Sequence, residues 1–156
     1  MILSVIRKIH MSGKVAAFAS YHVTLTNEVW SWSGLTPQGE IVLSLWKEEF
    51  NFHDRPPTYS NYNDPDSMKW KDSLGNRERI EHLKIVRDKR GGIFRVVISS
   101  AISYRAYPRK INEAYPKPNM TMRLVEFDED TGQFKAEVLE SAYAQGVLKA
   151  RDAPPT

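Results

Sequence analysis

The chain predicts an α+β fold: a single domain with a curved, mostly antiparallel sheet of about five strands, two or three helices and two long loops. Three observations carry this expectation. Trp30, Ser31, Trp32, Ser33 and Gly34 are followed by the turn Thr36, Pro37, Gln38, Gly39 and the apolar run Ile41, Val42, Leu43, Ser44, Leu45, Trp46, which reads as a hairpin over residues 29–35 and 40–46. A second hairpin joins 121–127 to 134–139 across Asp128, Glu129, Asp130, Thr131 and Gly132. Between them, residues 50–74 and 104–120 are rich in Pro, Asn, Asp and aromatic side chains, and no regular element fits either stretch.

The remaining elements follow from local signals. Over residues 12–22, Ser12 is an N-cap, with Val15, Phe18, Ala19 and His22 at helical spacing. Asn76 is the expected cap of a helix reaching Lys89, with Ile80, Leu83, Ile85 and Val86 for its buried side and Gly91-Gly92 to end it. The run 93–100 has the β-branched content of a strand. A short closing helix is expected over 142–150, and 152–156 reads as tail or linker after a domain spanning 1–151. Met11 to Lys14 looks like an alternative start, so residues 1–10 read as an extension or a first strand.

Composition narrows the function classes. The 156 residues are 41% hydrophobic, 11% aromatic and 26% charged, the balance of a globular domain with a real core. With no cysteine there is no disulfide framework, thiol nucleophile or cysteine zinc site, so a cytoplasmic home is the default expectation. No apolar run approaches the roughly 18 residues of a membrane span, and no membrane partner is expected. The net charge is +3, unevenly placed: from Arg77 to Lys110 there are ten basic and three acidic side chains, while Glu126, Asp128, Glu129, Asp130, Glu137 and Glu140 offset them later. Such asymmetry gives a polyanion a preferred side.

Catalytic and metal motifs are weak. The histidines, at 10, 22, 53 and 82, form no close pair, and only His53 and Asp54 with Asp64 and Asp66 could gather around a hard cation in the long loop. Glu81, His82, Leu83, Lys84 is one residue out of step with a Glu-x-Lys nuclease strand and lies on a predicted helix. No serine sits in a nucleophile elbow. No catalytic residue, metal site or cofactor is therefore expected.

The aromatic and basic residues make the strongest constellation. Trp30, Trp32 and Trp46 gather near one end of the first hairpin, and Tyr59, Tyr62 and Trp70 lie on a loop able to close over them. Arg87, Lys89, Arg90, Arg95, Arg105, Arg109 and Lys110 supply phosphate contacts. Flat faces with cations are how proteins hold an unstacked or flipped base. Taken singly, each indole is more often core, and the expected division of labour puts Trp46 in the core and at least one of Trp30 and Trp32 against a ligand.

The order of a helix, Trp30-Ser-Trp32-Ser33, a turn and Val42-Leu43-Ser44-Leu45-Trp46 resembles the N-terminal modules of HNH-type, modification-dependent restriction endonucleases over about Lys14 to Val97. The resemblance implies a DNA reader of modified bases, with roles for Trp30, Trp32 and Trp46 and for the basic stretch Arg87 to Arg95. An HNH nuclease is not recognisable, so the expectation is a stand-alone reader or a domain of a longer protein, with a fused or separate nuclease as partner. Two other classes stay open: a small-molecule or peptide-binding module with a tryptophan-lined cavity, and a metal-dependent hydrolase using His53, Asp54 and Asp64.

Overall fold

Strands with apolar side chains on both faces decide the architecture of residues 13–139, the part of the chain that the computed structural model describes. Along β2 (Ile41–Trp46), Ile41, Leu43 and Leu45 point to one side and Val42 to the other, and all four are fully buried. Along β5 (Ile93–Ala101), Phe94, Val96 and Ile98 face the first side and Val97 the second. Period-two alternation with both sides apolar requires cover on both faces. Helix α1 (Gly13–Ala19) supplies it on one side, where Ala17 and Phe18 with Tyr21, Val23 and Leu25 pack on Val42 and Val97. The longer helix, Leu74–Lys89, covers the other face with Leu83 and Val86.

Strand β1 (Ser33–Leu35) pairs antiparallel with β2, and Ser33 lies opposite Leu43. After β2 come a 3-10 turn (Lys47–Glu49), β3 (Phe50–Asn51), β4 (Thr58–Ser60), the single-turn helix α2 (Ser67–Trp70) and then Leu74–Lys89 as α3. The chain returns as β5, which pairs parallel to β2 with Val42 opposite Arg95. Strands β6 (Ile111–Phe127) and β7 (Phe134–Leu139) follow. The spatial order is β1-β2-β5-β6-β7-β4-β3 in one sheet.

The expected fold class is thereby corrected: among the described residues the sheet is open, has seven strands instead of about five, and is mixed, with β2 and β5 parallel where antiparallel neighbours were expected. Residues 50–74, expected as one long loop, hold β3, β4 and α2. The two strands are too short for a period-two signal, and they extend the sheet through pairing of Tyr59 with Ala136. Residues 104–120, expected as irregular, supply the first half of β6. Pro116 and Pro118 obscured that strand, yet the structure places them at a bulge where register jumps from Arg95–Thr121 to Val97–Pro116. Proline cannot donate to a ladder, and a bulge is where a strand tolerates it.

Cap assignments also shift. Ser73 is the N-cap of α3, its hydroxyl accepting from the Asn76 amide at 3.2 Å. Asn76, expected as the cap, instead joins the helix start to other segments, its Nδ2 donating to Lys71 O at 2.7 Å and Thr131 O at 2.9 Å. Gly91 and Gly92, both at positive φ, end the helix, with Gly92 N donating to Val86 O. The structure places residues 29–32 before β1, so the first strand of the hairpin is shorter than 29–35. The expected helix at 142–150, the tail 152–156, the segment 1–10 and the Ser12 cap lie outside the described residues.

Two independently buried faces make separable contributions. Leu83→Ala on one side is expected to cost about 2–5 kcal/mol and Phe18→Ala on the other about 3–5 kcal/mol, from lost transfer energy and cavity formation. Urea unfolding of the single and double variants should show additivity within about 0.5 kcal/mol, because the sheet separates the sites. Strong non-additivity would mean that the faces share one core.

Candidate functional site

The parallel pair β2–β5 places the carboxyl end of β2 beside the N-terminus of α3, the usual position for a ligand crevice in a sheet with a helical crossover. A cavity of about 250 Å³ opens there. Trp32 lies just before β1, Ser44 and Trp46 project from the face of β2 opposite its main core, and Trp70 ends α2. The 102–110 loop contributes Tyr107, Pro108 and Arg109. Trp32 and Trp70 meet edge to face, 6.2 Å between centroids and 83° between planes.

Arg79 projects from α3 into this aromatic corner. Its guanidinium carbon lies 4.8 Å from the Trp32 ring centroid, 5.1 Å from Trp70 and 5.4 Å from Phe134. The residue is only 5% exposed. Nη2 donates to Asn76 Oδ1 at 3.0 Å, while Nε has no acceptor among the described residues. Asn61 stands nearby, with its Oδ1 accepting from Phe134 N at 2.8 Å and its Nδ2 unpartnered among the same residues. Both lie on the cavity wall.

A second charged group shares the cavity. Arg109 stacks 3.9 Å from the Tyr104 ring centroid and 5.1 Å from Trp46, and its Nη2 donates to Asp64 Oδ1 at 3.3 Å. Glu49 receives the Tyr59 hydroxyl at 2.6 Å and the Tyr104 hydroxyl at 3.0 Å, with Arg109 Nη1 at 3.7 Å. Burial raises the Glu49 pKa from 4.5 to about 7, against the tyrosine hydrogen bonds, and the neighbouring Asp64 charge adds to the rise. Burial also pushes Asp64 up, but the Asp66 amide, the Trp70 indole N–H and Arg109 outweigh it and hold its carboxyl below the ordinary range. Near neutrality Glu49 is thus poised to take up a proton while Asp64 stays ionised.

Of the aromatic residues singled out from sequence, Trp32, Trp46 and Trp70 line the cavity, and Trp30, Tyr59 and Tyr62 do not. Trp46 is half-buried against Arg109 instead of closing the core: it shares the Val42 face of β2 but ends the strand, where the cavity opens. Trp30 is half-buried, with its carbonyl close against Gly75. Tyr59 is a core residue at 1% exposure, and Tyr62 lies on the surface.

The basic residues divide. Arg109 belongs to the cavity, and Arg105 and Lys110 are exposed on its loop. Arg87 pairs with Asp88 and Glu129, Lys89 is exposed, and Arg90 donates to the carbonyls of Gln38 and Gly39. Those three sit at the far end of α3, which is about 24 Å long at 1.5 Å per residue. Arg95 donates to Pro118 O on the α1 side. Four of the seven are therefore not gathered at the cavity.

His53 lies in an exposed turn, Thr58 donates to Asp54, and Asp64 faces the cavity; no three His, Asp or Glu side chains form a metal cluster among the described residues. No described helix is long and apolar enough to cross a membrane.

The residues that sequence reading did not single out are Glu49, Asn61 and Arg79. Arg79 carried a signal: with Asn76, Leu83 and Val86 it falls at the three- and four-residue spacing of the buried stripe of α3, an unusual place for a guanidinium. No protein-family model, curated protein or solved structure matches this chain.

Two outcomes follow from this geometry. Glu49 binds a proton more tightly in the folded state, so stability falls as pH rises from about 4.5 to 7, by on the order of 3 kcal/mol from this group alone. Glu49→Gln, a mimic of the protonated acid, should flatten that part of the Tm–pH profile and raise Tm at pH 8; an unchanged profile would mean Glu49 ionises normally. A Cβ on Gly75 would stand 2.7 Å from Trp32 Cε2 and closer still to the Trp30 carbonyl. Gly75→Ala should therefore displace Trp32 and shift the tryptophan emission spectrum, despite alanine's better helix propensity.

Proposed function

We propose that this domain binds one planar, base-sized group in the tryptophan cavity, and that DNA presents that group as an unstacked base, modified bases included. The observation that carries the reading is the convergence of Trp32, Trp46 and Trp70 on a single cavity of about 250 Å³. That volume is below the usual range for drug-sized ligands and suits one ring system. Indole walls hold a base through its π-face, and the hydrogen-bonding groups between them can read its edge. Phosphates would meet the exposed cations of the 102–110 loop, Arg105 and Lys110, with Lys71 just after α2. On this reading, cleavage falls to a nuclease, fused or separate, and the domain supplies the address.

A second reading, a free small planar ligand, is favoured by one observation: Arg87, Arg90 and Arg95 are engaged elsewhere, which leaves the basic surface near the cavity smaller than the sequence suggests. Salt dependence separates the two. Binding to a short oligonucleotide should weaken with log[salt] by about 0.7–0.9 per phosphate contacted, and Arg105→Ala with Lys110→Ala should reduce that slope by about one per lost contact. A flat salt response with retained binding of free bases would favour the small-ligand reading. Trp32→Ala should cost about 1–3 kcal/mol of binding while Trp30→Ala leaves it unchanged; equal losses would place the ligand elsewhere.

A further inference from the structure

We propose that the group selected by this cavity is anionic: a planar ring bearing a carboxylate or similarly acidic substituent, seated on the Arg79 guanidinium with the Asn61 amide beside it. This rests on the reading of the cavity as a ligand site and names the chemistry that the ligand brings to it.

Three tryptophans around a small cavity would ordinarily suit a cation, since indole faces attract ammonium groups. Here the faces of Trp32 and Trp70 are already occupied by Arg79. A second cation would meet a like charge at a site with little water to screen it. An alkylammonium ligand is thereby disfavoured.

The hydrogen-bonding inventory gives the complementary half. A guanidinium has five N–H donors, and Arg79 uses Nη2 on Asn76 and nothing else among the described residues. No described carboxylate lies within ion-pair distance of it. Glu49 and Asp64 are turned to Arg109, Trp70 and the two tyrosines instead. Asn61 adds an unpartnered Nδ2, and its orientation is fixed because Oδ1 must accept from the Phe134 amide. Among the described residues, the buried polar atoms of the cavity wall that lack a partner are the two donors Arg79 Nε and Asn61 Nδ2; the unpartnered acceptor Glu78 Oε1 is not on that wall. A ligand that completes this set brings acceptors and a negative charge.

Charge balance points the same way. The wall carries Lys14, Arg79 and Arg109 against Asp64 and Asp66, with Glu49 carrying less than a full charge near neutrality. Asp66 is already matched by Lys69 at 3.1 Å and Asp64 by Arg109. Lys14 is held by the carbonyls of Val29 and Ser31. Among the described residues neither Lys14 nor Arg79 has a carboxylate in ion-pair reach, but only Arg79 also keeps a buried donor, Nε, without an acceptor. Burying a charge without a partner is unfavourable. A ligand carboxylate would supply the counter-ion in the geometry that guanidinium recognises best.

The test uses short single-stranded oligonucleotides identical except for a central carboxyuracil, thymine or aminomethyluracil, all substituted at the same ring carbon, together with the three free bases. Binding is read by tryptophan fluorescence and by Tm. The carboxylate should bind on the order of tenfold to a hundredfold more tightly than thymine, and the ammonium most weakly. Arg79→Met, assayed at a temperature where its own melt shows it folded, should abolish that preference; Arg79→Lys, which keeps the charge but loses the fork, should retain only part of it. Thymine bound as tightly as the carboxylate would overturn the anion inference and leave the base cavity standing. A carboxylate preference seen only with free bases would support the inference and overturn DNA as the presenter. Binding of no probe, or a preference that survives in Arg79→Met, would overturn the inference, and the former would remove the cavity reading with it.

Discussion

The structure around the cavity depends on a single costly arrangement, the burial of the Arg79 guanidinium among Trp32, Trp70 and Phe134. A cation at 5% exposure with no ion-pair partner among the described residues is tolerated because three ring faces surround it and Asn76 fixes one nitrogen. Each neighbour belongs to a different part of the chain: Trp32 precedes β1, Trp70 ends α2, Asn76 opens α3 and Phe134 begins β7. One side chain therefore ties the edge hairpin, the connecting loop, the crossover helix and the far strands into a common corner. Burial holds the Arg79 pKa below its ordinary value, although Tyr59, Glu49 and Asp64 act in the other direction, and the group stays charged throughout the neutral range.

Asn76 is the second fixed point. Its amide bonds Lys71 O and Thr131 O, and Gly132 packs so closely on it that a Cβ there would stand 2.7 Å from Nδ2. The β6–β7 turn and the start of α3 thus hold one another in place. This constrains the direction in which Arg79, one helical turn later, enters the cavity. Glycine at 132 is required twice over, by that approach and by its φ of 82°.

Legibility in the sequence divides along physical lines. The two hairpins were readable because each joins patterned strands through turn residues, and β1–β2 and β6–β7 pair accordingly. The parallel pairing of β2 with β5 was not read, although a clue was present: 41–45 and 93–98 are almost continuously apolar, as strands buried on both faces must be. Reading 40–46 only as half of an antiparallel hairpin, and 93–100 as a strand with no stated partner, hid the crossover between them. β3 and β4, of two and three residues, carry too little pattern to detect, and their pairing comes from tertiary context. The three cavity tryptophans stood out by residue type alone. The charged partners did not, because Arg79 was one cation in a run of ten, and only its helical phase distinguishes it from the solvated residues around it.

That distinction alters how the basic run should be understood. Arg87 and Arg90 spend their guanidinium groups on local structure, the first holding Glu129 of the β6–β7 turn and the second capping the Gln38–Gly39 turn of the β1–β2 hairpin. Both contacts brace α3 against the turns that it must cross at its C-terminal end. The opposite end of the helix is braced by Asn76, so the helix is pinned at both termini while Arg79 projects between them. A charge count along the sequence treats these residues as equivalent, whereas the structure separates two that fasten the helix from one that the fastened helix presents. The cavity's electrostatic character follows from the few charges held within it, Arg79 and Arg109 against Asp64 and a partly protonated Glu49. It does not follow from the excess of +7 in that third of the chain.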